Sequence, residues 1–245
     1  MYDPRMSQAD TAPSRLDART AAARWRPQKF SEGGAVQVVD PLIEPLWTGL
    51  RAVALIDGPV VEIRDLDGDP VDDFPDVVAE LAGASRAHAL VIDGYLTHQP
   101  LQTVGAVARR DTIEEQPKSA PTIRQMWFGS LGGRRKREPR QPVDAVGRDP
   151  LPVDDDVAFV AVDLLWVDDD PLLDVPLLER KRVLESVLVE SRLVRRGIYV
   201  KPPVDTWLGS WRVMGFGRLA YKAANGRYTP GEVNRSWALA DLPSR

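Results

Sequence analysis

The chain contains no cysteine and only two histidines, His88 and His98. The first absence excludes disulfides, thiolate nucleophiles and cysteine-based zinc sites. The second excludes a histidine-rich metal centre. No apolar run approaches the roughly 20 residues of a membrane span, and the first residues lack the apolar stretch of a secretory leader. The expectation is a cytoplasmic protein with no membrane partner. Short catalytic signatures are missing as well: there is no GxxxxGK[ST] phosphate loop, no GxSxG elbow and no HExxH. The stretch GFGRLA from Gly215 to Ala220 fits GxGxxA, but the Asn225-Gly226 turn arrives where that fingerprint needs a helix, so it reads as a chance match. No Ser-His-Asp spacing supports His88 or His98 as catalytic. His88 reads as an ordinary polar residue at the start of a strand, and His98 as a loop residue.

What is present is enough apolar material for a sizeable core: 43% of 245 residues, with a mild net charge of −4. Residues 1–35 are polar and rich in Ala, Arg, Ser and Asp, and are expected to be a loosely ordered tail, although SRLDARTAAARW could form a short helix. From Val36 the pattern changes. LRAVALID and PVVEIRDLDG are β-prone runs joined at Asp57-Gly58, a hairpin signal. FPDVVAELAGA has helical spacing with Val77, Leu81 and Ala82 on one side. AHALVIDGYL and DDVAFVAVDLLWVDDD read as buried strands, the second ending in an acidic turn. PLLERKRVLESVLVES reads as an amphipathic helix, with Leu177, Leu184 and Leu188 on one face and Arg, Lys and Glu on the other. GIYVKPP reads as a short strand, TWLGSWRVMG as a helix and RSWALADL as a last strand. This order, without a strict βαβ repeat, predicts an α+β fold of antiparallel sheets flanked by helices.

Residues 97–155 are irregular and form an expected insertion. They carry a basic run, Arg134, Arg135, Lys136, Arg137 and Arg140, with Trp127 and Phe128 just before it. Cations beside aromatics suit nucleic acid; a solvated, disordered loop is the plainer reading, and with the overall charge acidic and the run short the two stay open.

The nine residues EPLWTGLRA, 44–52, resemble nucleotidyltransferase motif I of the ATP-dependent DNA ligases of the bacterial end-joining type, E-P-K-W-D-G-Y-R-A. Glu44, Pro45, Trp47, Gly49, Arg51 and Ala52 match. Further stretches follow in family order. DDFPDVVAEL matches at Phe74-Pro75. ALVIDGYL resembles motif III through Asp93 and Gly94. FVAVDLLWVDDDPLLDVPLLERKRVLESVL gives the closest match. LAYKAANGRYTPGEVNRSWALAD carries Lys222, Tyr228, Pro230, Gly231 and Trp237 on family positions. The resemblance covers residues 38–243. It implies a ligase-type nucleotidyltransferase (ATP-grasp-like) domain over residues 36–245, without the OB-fold domain that follows it in the family.

The same resemblance locates what is missing. The family's reaction begins with a lysine attacking the α-phosphate of ATP, an indispensable amine nucleophile; that position holds Leu46, and the motif I aspartate position holds Thr48. Loss of a covalent nucleophile costs about a millionfold in a serine protease. The motif III and IV glutamates, which help hold the metal, are replaced by Tyr95 and Gly217. Leu66 stands for an arginine, Val162 for the adenine-stacking aromatic, and Leu239 and Asp241 for two lysines. Arg51 and Lys222 remain as expected phosphate-facing cations. Lys29 and Lys201, outside any K-x-D-G context, read as surface residues. No catalytic residue, metal site or cofactor is expected, with ATP and Mg bound only if residual ligase-like binding survives. Three readings stay open: a catalytically inactive pseudoenzyme that binds nicked or ended DNA or assists its repair, a protein-interaction scaffold, and a nucleotidyltransferase with displaced catalytic groups. The seven tryptophans bear on the second, but Trp166 and Trp237 fall on framework positions, and Trp207 and Trp211, at i,i+4 spacing, are expected to pack together on a helix face.

Overall fold

The computed structural model describes residues 16–32, 34–98, 146–151 and 157–243. Helix α1 (Ala18–Arg24) and strand β1 (Lys29–Ser31) come first. A 3-10 turn (Ala35–Gln37) leads into β2 (Pro41–Pro45), β3 (Leu50–Asp57), β4 (Val60–Arg64), α2 (Pro75–Ala82) and β5 (Ala89–Thr97). Then follow β6 (Ala158–Val167), β7 (Asp170–Pro171), α3 (Leu177–Val187), β8 (Val194–Arg196), α4 (Asp205–Val213), β9 (Arg218–Ala223) and β10 (Val233–Asp241). Four strands form one sheet in the order β1-β10-β9-β2. The other runs β4-β3-β5-β6-β7, with β8 beside β6. The architecture is α+β, as expected. Each sheet carries one parallel pairing, β1 with β10 and β6 with β8, so the sheets are mixed where antiparallel ones were expected.

Composition explains which strands are central. Every residue of β5 is buried, as are the first nine of β6. A strand covered on both faces needs apolar residues at successive positions, not alternate ones. The β3–β4 hairpin turns at Gly58, with Asp57 opposite Val60. Two glycines are set by close backbone approach. A Cβ on Gly94 would lie 2.3 Å from Phe159 Cζ, and one on Gly49 would lie 2.2 Å from the Leu96 carbonyl oxygen, with φ at +117°. Gly49 therefore lets the chain leave β2 and enter β3 directly against β5.

The helices fill in around the sheets. In α2, Val77 and Leu81 are buried but Ala82 is exposed; the buried alanine is Ala84, just past the helix. In α3, Leu177 and Leu184 are buried together with Leu188, as their spacing predicts, but Arg180 and Lys181 are buried with them. Helix α4 is present, and Trp207 and Trp211 pack at 6.0 Å between ring centroids. The strand expected in GIYVKPP is confined to a single bridge, Val200 to Ile43.

The tail expected over residues 1–35 is corrected from Leu16 onward. Asp17 caps α1 by accepting a hydrogen bond from Thr20 N. The small residues Ala18, Ala21 and Ala22 line one side of the helix and are buried against β3 and β5. Strand β1 pairs with β10, and Phe30 is buried. The low hydropathy of this segment misleads because alanine packs a helix closely without registering as strongly apolar. The insertion is also anchored at its end: Val146 is buried, and Arg51 N donates to the Gly147 carbonyl. Arg134, Arg135, Lys136, Arg137, Arg140, Trp127 and Phe128 lie outside the described residues.

Candidate functional site

Motifs I and III meet by register. Strands β3 and β5 place Arg51 opposite Tyr95 and Val53 opposite Asp93. Arg51 grips Asp93 with a two-pronged contact, Nε to Oδ1 at 3.0 Å and NH2 to Oδ2 at 2.6 Å, and its third nitrogen donates to the Gln28 carbonyl at 2.7 Å. Tyr228 Oη donates to Asp93 Oδ2 at 2.7 Å. Both members of the ion pair are buried. Burial alone would disfavour the guanidinium charge, but Asp93 overrides it and holds the Arg51 pKa above its ordinary value. The rings of Phe30, Tyr95 and Trp237 surround the guanidinium at 5.5–5.7 Å.

A second buried cluster lies between β2, β9 and α3. Strand pairing sets Lys222 opposite Trp237, with Nζ 4.3 Å from the indole centroid. Lys222 Nζ donates to Glu44 Oε2 at 2.7 Å. Lys181 Nζ lies 2.7 Å from Glu44 Oε1 while donating to the Val162 carbonyl at 2.8 Å. Burial pushes the Glu44 carboxyl up, but the two lysines outweigh it and hold its pKa low. Burial, aided by Lys181, holds Lys222 below its ordinary value despite Glu44. A third pair, Arg180–Asp163, is buried and two-pronged at 2.8 and 2.7 Å.

These contacts change the expected role of Arg51 and Lys222. Both are buried with internal partners, and neither is a solvent-facing cation. Leu46 is buried within an apolar cluster that includes Phe30, Tyr228 and Trp237. Thr48 is exposed. Tyr95 is buried beside Arg51, and burial first of all pushes its hydroxyl up to about 12. Gly217 is exposed, with open space around it. These positions offer a triphosphate neither an amine nor a carboxylate, so they do not fit ATP with its metal as the ligase motifs hold it. Lys29 and Lys201 are exposed, as expected, and Lys201 reaches Asp40 at 3.6 Å. His88 is exposed immediately before β5 and faces Asp57 at 3.6 Å. The GxGxxA match leads into strand β9, not a helix.

Sequence reasoning missed the Glu44 cluster and Arg180, because charged residues on an amphipathic helix were assigned to its outer face. A signal was present. Positions 180 and 181 are i+3 and i+4 from Leu177, inside the stripe that must face the core.

No protein-family model matches the chain, and no curated protein matches it significantly. Solved structures do. The chain is similar to the ligase domain of M. tuberculosis LigD (20% identity, TM-score 0.56, covering 89% of this chain and 59% of that one). It is similar to a mycobacterial DNA ligase D described as complexed with ATP and MES (20% identity, TM-score 0.55, covering 88% and 59%). It is also similar to a structure named Pmar-Lig_PreS3 (14% identity, TM-score 0.52, covering 89% and 46%). The fold is therefore that of a DNA-ligase nucleotidyltransferase domain, as the motif order implies. The chain spans 59% of the length of the two ligase D structures. Among the described residues no helix is long and apolar enough to cross a membrane.

Proposed function

We propose that this chain is a ligase-fold protein that has lost adenylation chemistry and binds DNA, acting in the cytoplasm as an accessory to repair. One observation carries the first half. The position of the covalent nucleophile is Leu46, buried in the apolar cluster that includes Phe30, Tyr228 and Trp237, while the amines of Lys181 and Lys222 are committed to Glu44, two residues before it. An alkyl chain has no lone pair with which to attack phosphorus. A neighbouring amine held against a carboxylate in the core cannot take its place without breaking that cluster. The DNA half is supported by the fold shared with DNA ligases and by the cation run 134–140, since phosphate contacts need cations and no nucleophile.

The test has two arms. Incubation with α-labelled ATP and a divalent cation, followed by denaturing electrophoresis, is expected to show no labelled protein; a covalent AMP adduct sinks the inactive reading. Fluorescence anisotropy with a nicked, 5′-phosphorylated duplex across a salt series is expected to give a slope of log K on log salt of about −4 to −5 if all five cations meet phosphates. The slope should approach zero when Arg134, Arg135, Lys136, Arg137 and Arg140 are neutralised. Binding that ignores salt refutes the DNA half.

A further inference from the structure

The segment preceding β1 does more than complete a sheet. Together with the loop after β4 and residues 146–148 it encloses a cleft of about 340 Å³, within the size range of small-ligand sites. Leu46, Tyr95 and Gly217 are not on its walls. We infer that this cleft is a binding site for a phosphate monoester, held chiefly by Arg26 and Lys29.

The charge balance is the first argument. Arg26, Lys29 and Arg148 line the cleft together with the floor residue Arg51, and among the described residues the one carboxylate in the wall is Asp67. Arg51 is neutralised by Asp93. Asp67 is held by Arg148 through a two-pronged contact at 2.6 and 2.9 Å. That leaves Arg26 and Lys29 without an ion-pair partner among the described residues. Asp67 senses all three: the Arg148 hydrogen bond lowers its pKa most, with further lowering from the charges of Arg148, Lys29 and Arg26. One carboxylate cannot neutralise three cations, and a phosphate dianion supplies the balance.

Preorganisation is the second argument. Gly231 N donates to the Arg26 carbonyl, and Lys29 N donates to the Glu232 carbonyl, fixing the segment at both cations. Arg26 NH1 donates to the carbonyls of Ala23 and Trp25, which orients the guanidinium. On the facing wall Asp65 Oδ1 accepts from the backbone amides of Asp67, Gly68 and Asp69 at 2.8–2.9 Å, fixing the loop that carries Asp67. Gly68 lets the Arg26 guanidinium approach that loop, since a Cβ there would collide with Arg26 NH2. Gln28 is fixed in the wall, its Oε1 accepting from Thr229 N and Oγ1. Donors held before binding cost little reorganisation on binding. The lining is half apolar, from Pro27, Phe30, Leu66 and Val146, and its charged half is mostly cationic, which suits a phosphate carried on a less polar body.

The site does not rest on the 134–140 run and can be tested apart from it. Calorimetric titration of the purified chain with inorganic phosphate, adenosine 5′-monophosphate and adenosine is expected to show binding of the two phosphates and none of adenosine. R26Q/K29Q is expected to weaken it about a hundredfold, roughly tenfold for each charge-assisted hydrogen bond removed. Charge-preserving R26K/K29R should keep affinity within a few-fold and serves as the folding control, and R182Q, on a distant helix, should change nothing. A 5′-phosphorylated oligonucleotide preferred over its 5′-hydroxyl twin would support the site with a strand end as the phosphate's source. Monoester binding without that preference would support it with a free phosphoester. Failure of both phosphates to bind at millimolar concentration, or unchanged affinity in R26Q/K29Q, overturns the inference.

Discussion

Two groups of cations in this fold behave oppositely. Arg51, Arg180, Lys181 and Lys222 are buried, and each is held within 3 Å of a carboxylate. Arg26 and Lys29 stand at a cleft where, among the described residues, the one lining carboxylate already faces Arg148. The residue types are the same; what differs is whether the fold brings an acid within reach. A paired buried cation holds elements together but presents no charge to a ligand. A cation left over at a cleft does the reverse. The motif arginine and lysine that a ligase reading assigns to phosphate belong to the first group, and the N-terminal segment supplies the second.

The strongest way to break this comparison is to remove a buried partner. Arg180→Ala leaves Asp163 buried with one backbone donor, Leu164 N, removes the Arg180 donor from the Val175 carbonyl, and leaves the Gly226 carbonyl with Leu177 N alone. Breaking such a pair costs roughly 3–5 kcal/mol, read as a fall in the urea midpoint at an unchanged m-value. A loss under about 1 kcal/mol would mean that these pairs contribute little and that burial does not separate the two groups. Next in size is Phe30→Ala. Phe30 packs on Trp237 at 5.5 Å and supports the segment that carries Arg26 and Lys29. Truncation of a buried phenylalanine costs about 3–5 kcal/mol, less where the site can collapse. A near-neutral result would return residues 16–32 to the status of a tail.

The N-terminal segment also marks the limit of what the sequence made legible. The two central strands, the hairpin at Asp57-Gly58 and the helices were readable because their periodicity and turn residues are local signals. Motif order gave the ligase-type fold, but Arg51 and Lys222, expected to face phosphate, are buried against carboxylates. Their partners were not readable. Asp93 lies 42 residues from Arg51 and Glu44 lies 178 from Lys222, and an ion pair between strands is a property of register, which no local pattern carries. Residues 16–32 were misjudged for a related reason. Their alanines and single phenylalanine carry little hydropathy signal, and their burial depends on a sheet that the rest of the chain builds.

The Glu44 cluster sharpens the comparison through pH. The two lysines hold the folded-state pKa of Glu44 below the unfolded value of about 4.3. A depressed carboxylate contributes stability that is fully present above the unfolded value and is lost as pH falls through the folded one. Glu44→Gln should therefore cost roughly 2–4 kcal/mol near neutral pH, because two buried amines lose their counter-charge. The gap from the parent chain should narrow as pH falls below the unfolded value and the parent's Glu44 protonates. A gap that stays constant as the pH is lowered through the acid transition would show that Glu44 acts by packing and hydrogen bonding, with its charge irrelevant.

The smallest expected effect is the most discriminating, because it lies on the same helix as the largest. Arg182 NH1 meets Glu179 Oε1 at 2.6 Å, one helical turn apart, with side chains 61% and 49% exposed. On distance alone this contact equals Arg180–Asp163, whose closest approach is 2.7 Å with both side chains fully buried. In water the coulombic gain is screened, and two long side chains must give up rotamer freedom to hold the geometry, so an i,i+3 surface pair is worth about 0.2–0.5 kcal/mol. Arg182→Ala should therefore shift the urea midpoint barely above error, and less still at high salt, while Arg180→Ala two residues away moves it several-fold more. If the two variants cost the same, contact distance governs and burial does not. If they differ as stated, a cation's surroundings, more than its nearest acid, decide whether it holds this fold together or is available to a ligand.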